Sequence, residues 1–292
     1  MSTVAQITER VEPRRSWLFA GLLLAGLVAA LYVPVIQQMV LQWWQDPNYG
    51  HGILVPFFAG YVVWRQRRDL QCIELAPSNF GLLVMLAAVT MLIVGSLGAE
   101  LFVSRFSLLV LLTGMVLFLA GWKMLRALAF PLGYLVLMIP LPVIIYNQVT
   151  FPLQFLASKL AANSLQILGV PVLREGNVLL LPNYALEVVD ACSGIRSLMS
   201  LIALAVAYGY LVERRTWIRI TLAALMLPIA VASNAARVVG TGLLTYFFGP
   251  QSAEGFFHLF SGWLIFVAAV MLMLLAHWVL RRMSNFRRNE NA

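Results

Sequence analysis

The chain has 292 residues, 61 % of them hydrophobic and only 11 % charged, with 20 basic against 12 acidic residues and a formal net charge of +8. That balance lies far outside the range of a water-soluble globular chain. The surplus Lys and Arg fall in short clusters between apolar runs, which reads as membrane topology and contact with anionic lipid and excludes a nucleic-acid-binding stripe.

Apolar runs of roughly span length predict an all-α polytopic membrane protein, one domain over residues 1–292, with eight transmembrane helices. In order they are Trp17 to Ile36, Ile53 to Trp64, Phe80 to Leu97, Ser107 to Gly121, Ala127 to Tyr146, Ile195 to Val212, Trp217 to Ala236 and His258 to Leu280. The first follows the arginines of "VEPRRSW" without a small-x-small cleavage site behind it, so it is a retained span. Its "AGLLLAG" stretch reads as small-residue helix packing. The second and fourth runs are short.

Between the fifth and sixth spans lies an insert over residues 147–191 containing "FPLQFLASKLAANSLQILGVPVLREGNVLLLPNYALEVVD". Its first half has helical amphipathic spacing and its second half alternates like strand around a Pro-Asn turn. The pattern predicts a small structured cap on the membrane surface.

Basic residues order the spans. Arg10, Arg14 and Arg15 precede the first, Arg65, Arg67 and Arg68 follow the second, and Lys123 and Arg126 follow the fourth. Arg214, Arg215 and Arg219 follow the sixth, and Arg281, Arg282, Arg287 and Arg288 the eighth. Since cytoplasmic loops carry the Lys and Arg excess, both termini are expected in the cytoplasm, with 284–292 as a cytoplasmic tail, and the insert outside. Cys72 and Cys192 then lie on opposite faces and cannot form a disulfide.

The chemistry concentrates in three places. Cys192, in "VVDACSGIRSLMS", comes just before the sixth span with Asp190 or Ser193 available as N-cap, where the helix dipole favours thiolate over thiol. Arg196, one turn later, adds a second cationic influence. In the seventh span, "VASNAARVVGTG" places Arg237 about 30 Å from Trp217 by helical rise, with Asn234 a turn below. The eighth opens with "FFHLFSGWLIF", which puts His258 at the same outer depth. A thiol, a guanidinium and an imidazole from three helices thus share one leaflet, as a nucleophile, an oxyanion partner and a proton carrier would.

Other polar residues carry less. His51, in "NYGHGILVP", either lines the same site or belongs to the cap. Glu187 and Asp190 either orient a histidine or arginine or solvate the insert, and Arg105 with Glu100 reads as an interfacial ion pair. His277, in "LLAHWVLRR", reads as an isolated interfacial residue and Cys72 as inert. The dispersed histidines give no metal-ligand spacing and there is no phosphate-binding glycine loop, so no cofactor is expected.

"ACSGIRSL" opening a span, "NAAR" near the outer end of the next, "HLFSGW" opening the last and "NYGHGILVP" upstream together resemble the exosortase and archaeosortase membrane enzymes over nearly the whole chain. The resemblance implies a cysteine peptidase or transpeptidase of the bacterial inner membrane with its active site at the periplasmic face. Its substrates would be proteins ending in a short Pro-Glu-Pro-type motif, a transmembrane helix and a basic tail, cleaved or passed to an unidentified acceptor. By motif, Cys192 would be the nucleophile, Arg237 the arginine of the site and His258 its third member; archaeosortases tend to carry arginine there, so the histidine resembles the bacterial branch. The rival from another class is a non-catalytic membrane component of exopolysaccharide assembly or export, whose outer cations bind an anionic glycan. A rhomboid-like serine protease lacks its Gly-x-Ser-x-Gly element, leaving Ser193 as the only hydroxyl fallback.

Overall fold

The computed structural model describes residues 12–182, 184–188, 195–249, 251 and 256–290. The chain forms two compact units, one of Met1–Gln45 with Arg65–Ile139 and one of Asp46–Trp64 with Pro140–Ala292.

The first unit holds α1 (Glu12–Gln45), α3 (Arg67–Gln71), α4 (Phe80–Leu97), α5 (Leu101–Ala127) and α6 (Ala129–Tyr134). Helices α4 and α5 form an antiparallel pair in which Gly81, Ala88 and Gly95 of α4 are buried at seven-residue spacing. Small residues on that seam bring the backbones close, the usual means of helix association where lipid removes the hydrophobic drive. Tyr32 of α1 reaches Ser107 of α5 with its hydroxyl, 2.9 Å away, and Trp43 donates its indole N–H to the Met138 carbonyl at 2.9 Å. Helix α5 kinks at Gly121, whose φ of 83° and extended ψ are non-helical. A Cβ there would stand 1.8 Å from the Ala76 carbonyl oxygen, so only glycine lets the loop after α3 lie on the helix. That loop is held by Ala76 N–H on the Ala120 carbonyl and Ser78 N–H on the Leu117 carbonyl.

The second unit contains α2 (Leu54–Arg65, its last residue assigned to the first unit), α7 (Val143–Ile167), α8 (Ile195–Val212), α9 (Thr216–Phe248) and α10 (Phe256–Glu290). Leu198, Leu201 and Ala205 of α8, Leu222, Met226 and Ala230 of α9, and Ala269 and Met273 of α10 are buried together. Their three- and four-residue steps put one stripe of each helix into a shared core. Between α7 and α8 runs an antiparallel sheet, β1 (Leu173–Glu175), β2 (Val178–Leu181) and β3 (Tyr184–Glu187), with Leu181 opposite Tyr184 across the Pro-Asn step. Leu179, Leu181 and Leu186 turn inward onto Ala161, Ala162 and Leu165 of α7 and Val238 of α9, as the alternation of the insert required.

Polytopic and almost wholly helical, the chain differs from expectation in its spans. Among the described residues, five helices are long and apolar enough to cross a membrane, or six if Ala129–Met138 and Val143–Ile167 count as one broken span. By length and apolarity these helices account for five or six of the eight expected spans. Leu54–Arg65 has only 12 residues, whereas α8, with 18 residues from Ile195 to Val212, coincides with its predicted run. The run expected from Ala127 to Tyr146 breaks at "IPLP", where Pro140 and Pro142 withdraw two amide donors and Ile139 takes the extended backbone favoured before proline. The "AGLLLAG" reading also fails at Gly26, where an added Cβ would meet nothing within 4 Å.

Candidate active site

Helix α9 does not end near Arg237, as expected, but continues 11 residues further, from 237 to Phe248. The extension is kept helical by burial. Val238, Thr241, Gly242 and Thr245 are buried, and a Cβ on Gly242 would lie 3.0 Å from Leu165 of α7. Arg237 is thereby fixed inside a long helix, with Asn234 one turn earlier at 5 % exposure.

A cleft of about 440 Å3 in this unit is lined by His51, Arg196, Arg237 and Gly262, with Trp263 and Phe266 giving it an apolar wall. Three of the predicted site residues therefore share one cavity although 145 residues separate the first two (196 − 51). His51 is presented by the 3-10 turn Gly50–Ile53. Arg196 stands in the first turn of α8, and its Nε donates to the Asn48 side-chain carbonyl oxygen at 3.2 Å. Asn48 escaped the sequence reading, although it opens the same "NYGHGILVP" stretch that carries His51.

Gly262 is the second position that sequence reasoning missed. Its ideal Cβ would lie 3.6 Å from both Cζ and Nη2 of Arg237 and 3.9 Å from Nη1. A methyl there would just touch the guanidinium, so α10 leaves room at this position for a small side chain and no larger one. The signal was the small residue four positions after His258, which the helical period places on the same face. His258 belongs to the first turn of α10, one turn and about 6 Å of axial rise before Gly262. Cys192, Asp190 and Ser193 lie outside the described residues, four, six and three positions ahead of Arg196 respectively. Among the described residues lining the cleft there is no carboxylate, while two guanidiniums face it. Guanidinium groups so placed can hydrogen-bond an anion or a developing oxyanion.

Two secondary expectations change. His277 is not an isolated interfacial residue: it is buried at 4 % exposure in a polar network. The Tyr208 hydroxyl lies 2.9 Å from its Nδ1, with the two rings edge to face, and its Nε2 is 3.4 Å from Glu213 Oε2. The other carboxylate oxygen of Glu213 accepts the N–H groups of Arg214 and Arg215 at 2.8 and 3.0 Å. Burial alone would raise the Glu213 pKa; the hydrogen bonds from Arg215, His277 and Arg214 outweigh it and hold the carboxyl below its usual range. The reason sequence missed the network is spacing: Tyr208, Glu213 and His277 come from α8, the loop after it and α10. Arg105, expected in an interfacial pair, is buried at 4 % exposure, while Glu100 is exposed and caps α5 by accepting the Phe102 N–H. Cys72 is free and exposed, and Glu187 is exposed on β3.

The family model described as transmembrane exosortase matches residues 43–275, which includes the whole cleft. No curated protein and no solved structure matches the chain.

Proposed function

The chain belongs to the transmembrane exosortases, a broadly peptidase- or transpeptidase-like group of membrane proteins, and from that premise we propose that it is a cysteine peptidase or transpeptidase of the bacterial inner membrane. Its substrates are exported proteins that end in a short Pro-Glu-Pro-type motif, a transmembrane helix and a basic tail. Both termini lie in the cytoplasm and the cleft opens toward the periplasm.

In this reading the Cys192 thiolate attacks the scissile carbonyl carbon, and Arg237 donates hydrogen bonds to the oxyanion that forms. His258 gives a proton to the leaving amine as the C–N bond breaks, which leaves a thioester on the enzyme. Water, or the amine of an acceptor, then attacks the thioester and releases the thiolate. Asp190 and Asn234 are supporting residues, and Arg196, oriented by Asn48, and His51 complete the polar lining.

The observation that carries the reading is the cleft itself: His51, Arg196 and Arg237, distant in sequence, line one cavity against the α10 turn that follows His258. The same cationic lining suits an anionic glycan bound by a non-catalytic component of exopolysaccharide assembly. The two readings part at Cys192, which a binder does not need.

Co-expression with a tagged protein bearing such a C-terminal signal tests the point. The wild-type chain is expected to shorten the tagged protein, and a Cys192→Ala chain of equal membrane abundance to leave it intact. Undiminished processing by Cys192→Ala overturns the catalytic reading.

A further inference from the structure

The first unit has its own cavity, of about 210 Å3, bounded by α1, α4 and α5 and lined by Pro34, Val35, Gln38, Ser96, Ser104 and Arg105 among others. Arg105 is the fifth residue of α5, a helix apolar enough to span a membrane, yet it is 4 % exposed. An arginine that serves topology runs its charge out to the headgroups and leaves its side chain on the surface. This one is turned into the protein, where a permanent positive charge is expensive and marks a site.

The cavity is held in shape. Gly95 lets the α4 backbone approach Ser104, whose Oγ would be 2.5 Å from an added Cβ. The Tyr32 hydroxyl pins α1 to Ser107 of α5, and Ser107 in turn donates to the Ser104 carbonyl at 2.7 Å. Ala99, at the rim, is held at a φ of 52°, left-handed backbone that a non-glycine residue adopts only when its surroundings enforce it. Gln38 and Ser96 are exposed and Arg105 is buried, so the donors run from mouth to floor; no carboxylate appears among the described lining residues. Leu101 lines the cavity as an exposed apolar side chain, and Leu31 and Ile36 of α1 and Val94 and Leu97 of α4, close in sequence to lining residues, are exposed as well.

We infer that this cavity binds the headgroup phosphate of a membrane phospholipid. Arg105 at the floor, with Gln38 and Ser96 nearer the surface, takes the phosphate oxygens. The apolar surfaces of α1 and α4 carry the acyl chains, and they are the reason a lipid is assigned in place of a free anion. The inference is independent of the peptidase reading, since it draws on other residues and another cavity.

The test uses the full chain in detergent, with three probes: dioleoylphosphatidylglycerol, dioleoylglycerol, which has the same chains without phosphate, and inorganic phosphate. The phosphatidylglycerol is expected to raise the unfolding midpoint by about 5 °C at a hundredfold excess over its Kd. Arg105→Gln and Gln38→Trp should each abolish that shift. Gln38 is exposed, so Gln38→Trp fills the mouth without disturbing the core and decides the matter if Arg105→Gln does not fold. An equal shift from dioleoylglycerol, a match by inorganic phosphate alone, or a shift that survives Gln38→Trp each overturns the assignment.

Discussion

Substitution at Gly262 isolates the position of the Arg237 guanidinium without touching any group that reacts. In Gly262→Ala the new methyl would stand 3.6 Å from Cζ and Nη2 and 3.9 Å from Nη1, which is ordinary van der Waals contact. Processing should therefore remain within about twofold of wild type, as for a substitution that meets no clash. In Gly262→Leu the chain extends by a further bond of about 1.5 Å toward the guanidinium, which must withdraw by a similar distance to restore contact. A hydrogen bond to an oxyanion, made at about 2.7–3.1 Å, does not survive such a shift, and removing one donor of this kind lowers turnover by about 100- to 1000-fold, or about 3–4 kcal/mol. The assay is the rate at which membranes containing each variant shorten a tagged substrate, normalised to the amount of enzyme in the membrane. A Gly262→Leu chain that works at the wild-type rate would refute the placement of Arg237 at the oxyanion. Equal losses in Ala and Leu would instead show that the helix contact, and not the guanidinium, is what Gly262 protects.

Four further outcomes follow from other contacts. Asn48→Ala removes the acceptor that orients Arg196, and processing is expected to fall about tenfold, the effect of roughly 1.5 kcal/mol, the low end for a hydrogen bond to a charged group as suits a part-buried one; wild-type kinetics would deny Arg196 a supporting role. His277→Phe strips Tyr208 and Glu213 of a buried partner and should cost about 3 kcal/mol in thermal or denaturant unfolding. Because the Glu213 carboxyl is held low in the native state, its contribution is complete above about pH 4.5, its unfolded value, and is lost as the pH falls through the native one; Glu213→Gln should flatten that acid limb. Gly81→Ala would drive a Cβ to 2.3 Å from the Phe118 backbone nitrogen, so α4 and α5 must part at about 1–3 kcal/mol, whereas Gly26→Ala meets open space and should leave the unfolding midpoint unmoved.

What the sequence disclosed and what it hid follow from the range of the interactions involved. The hairpin of the insert was legible because strand period, a Pro-Asn step and apolar alternation are local signals, and Phe80–Leu97 matches its predicted run to the residue. The broken fifth run was legible in principle: "IPLP" carries its own steric instruction, which a hydropathy count ignores. The far end of α9 was not, since the residues beyond Arg237 stay helical through burial against α7 and the sheet. In the cleft, an arginine on the side that topology disfavours pointed to Arg237, the one-turn spacing from Cys192 to Arg196, and a place just before an apolar run to His51. Asn48 and Gly262 act only through a partner far away in sequence, and the Tyr208–His277–Glu213 network needs three elements to converge before any of its members looks unusual.

Val238, the residue after Arg237, is part of the core on which the hairpin rests, beside Leu179 and Leu181. One rod therefore serves both as scaffold of the surface hairpin and as mount for the guanidinium. Leu179→Ala, which empties part of that core, is expected to loosen the packing of α9 at Val238, next to Arg237. A substitution in the hairpin core thus reaches the helix that carries Arg237 without altering any residue that lines the cleft.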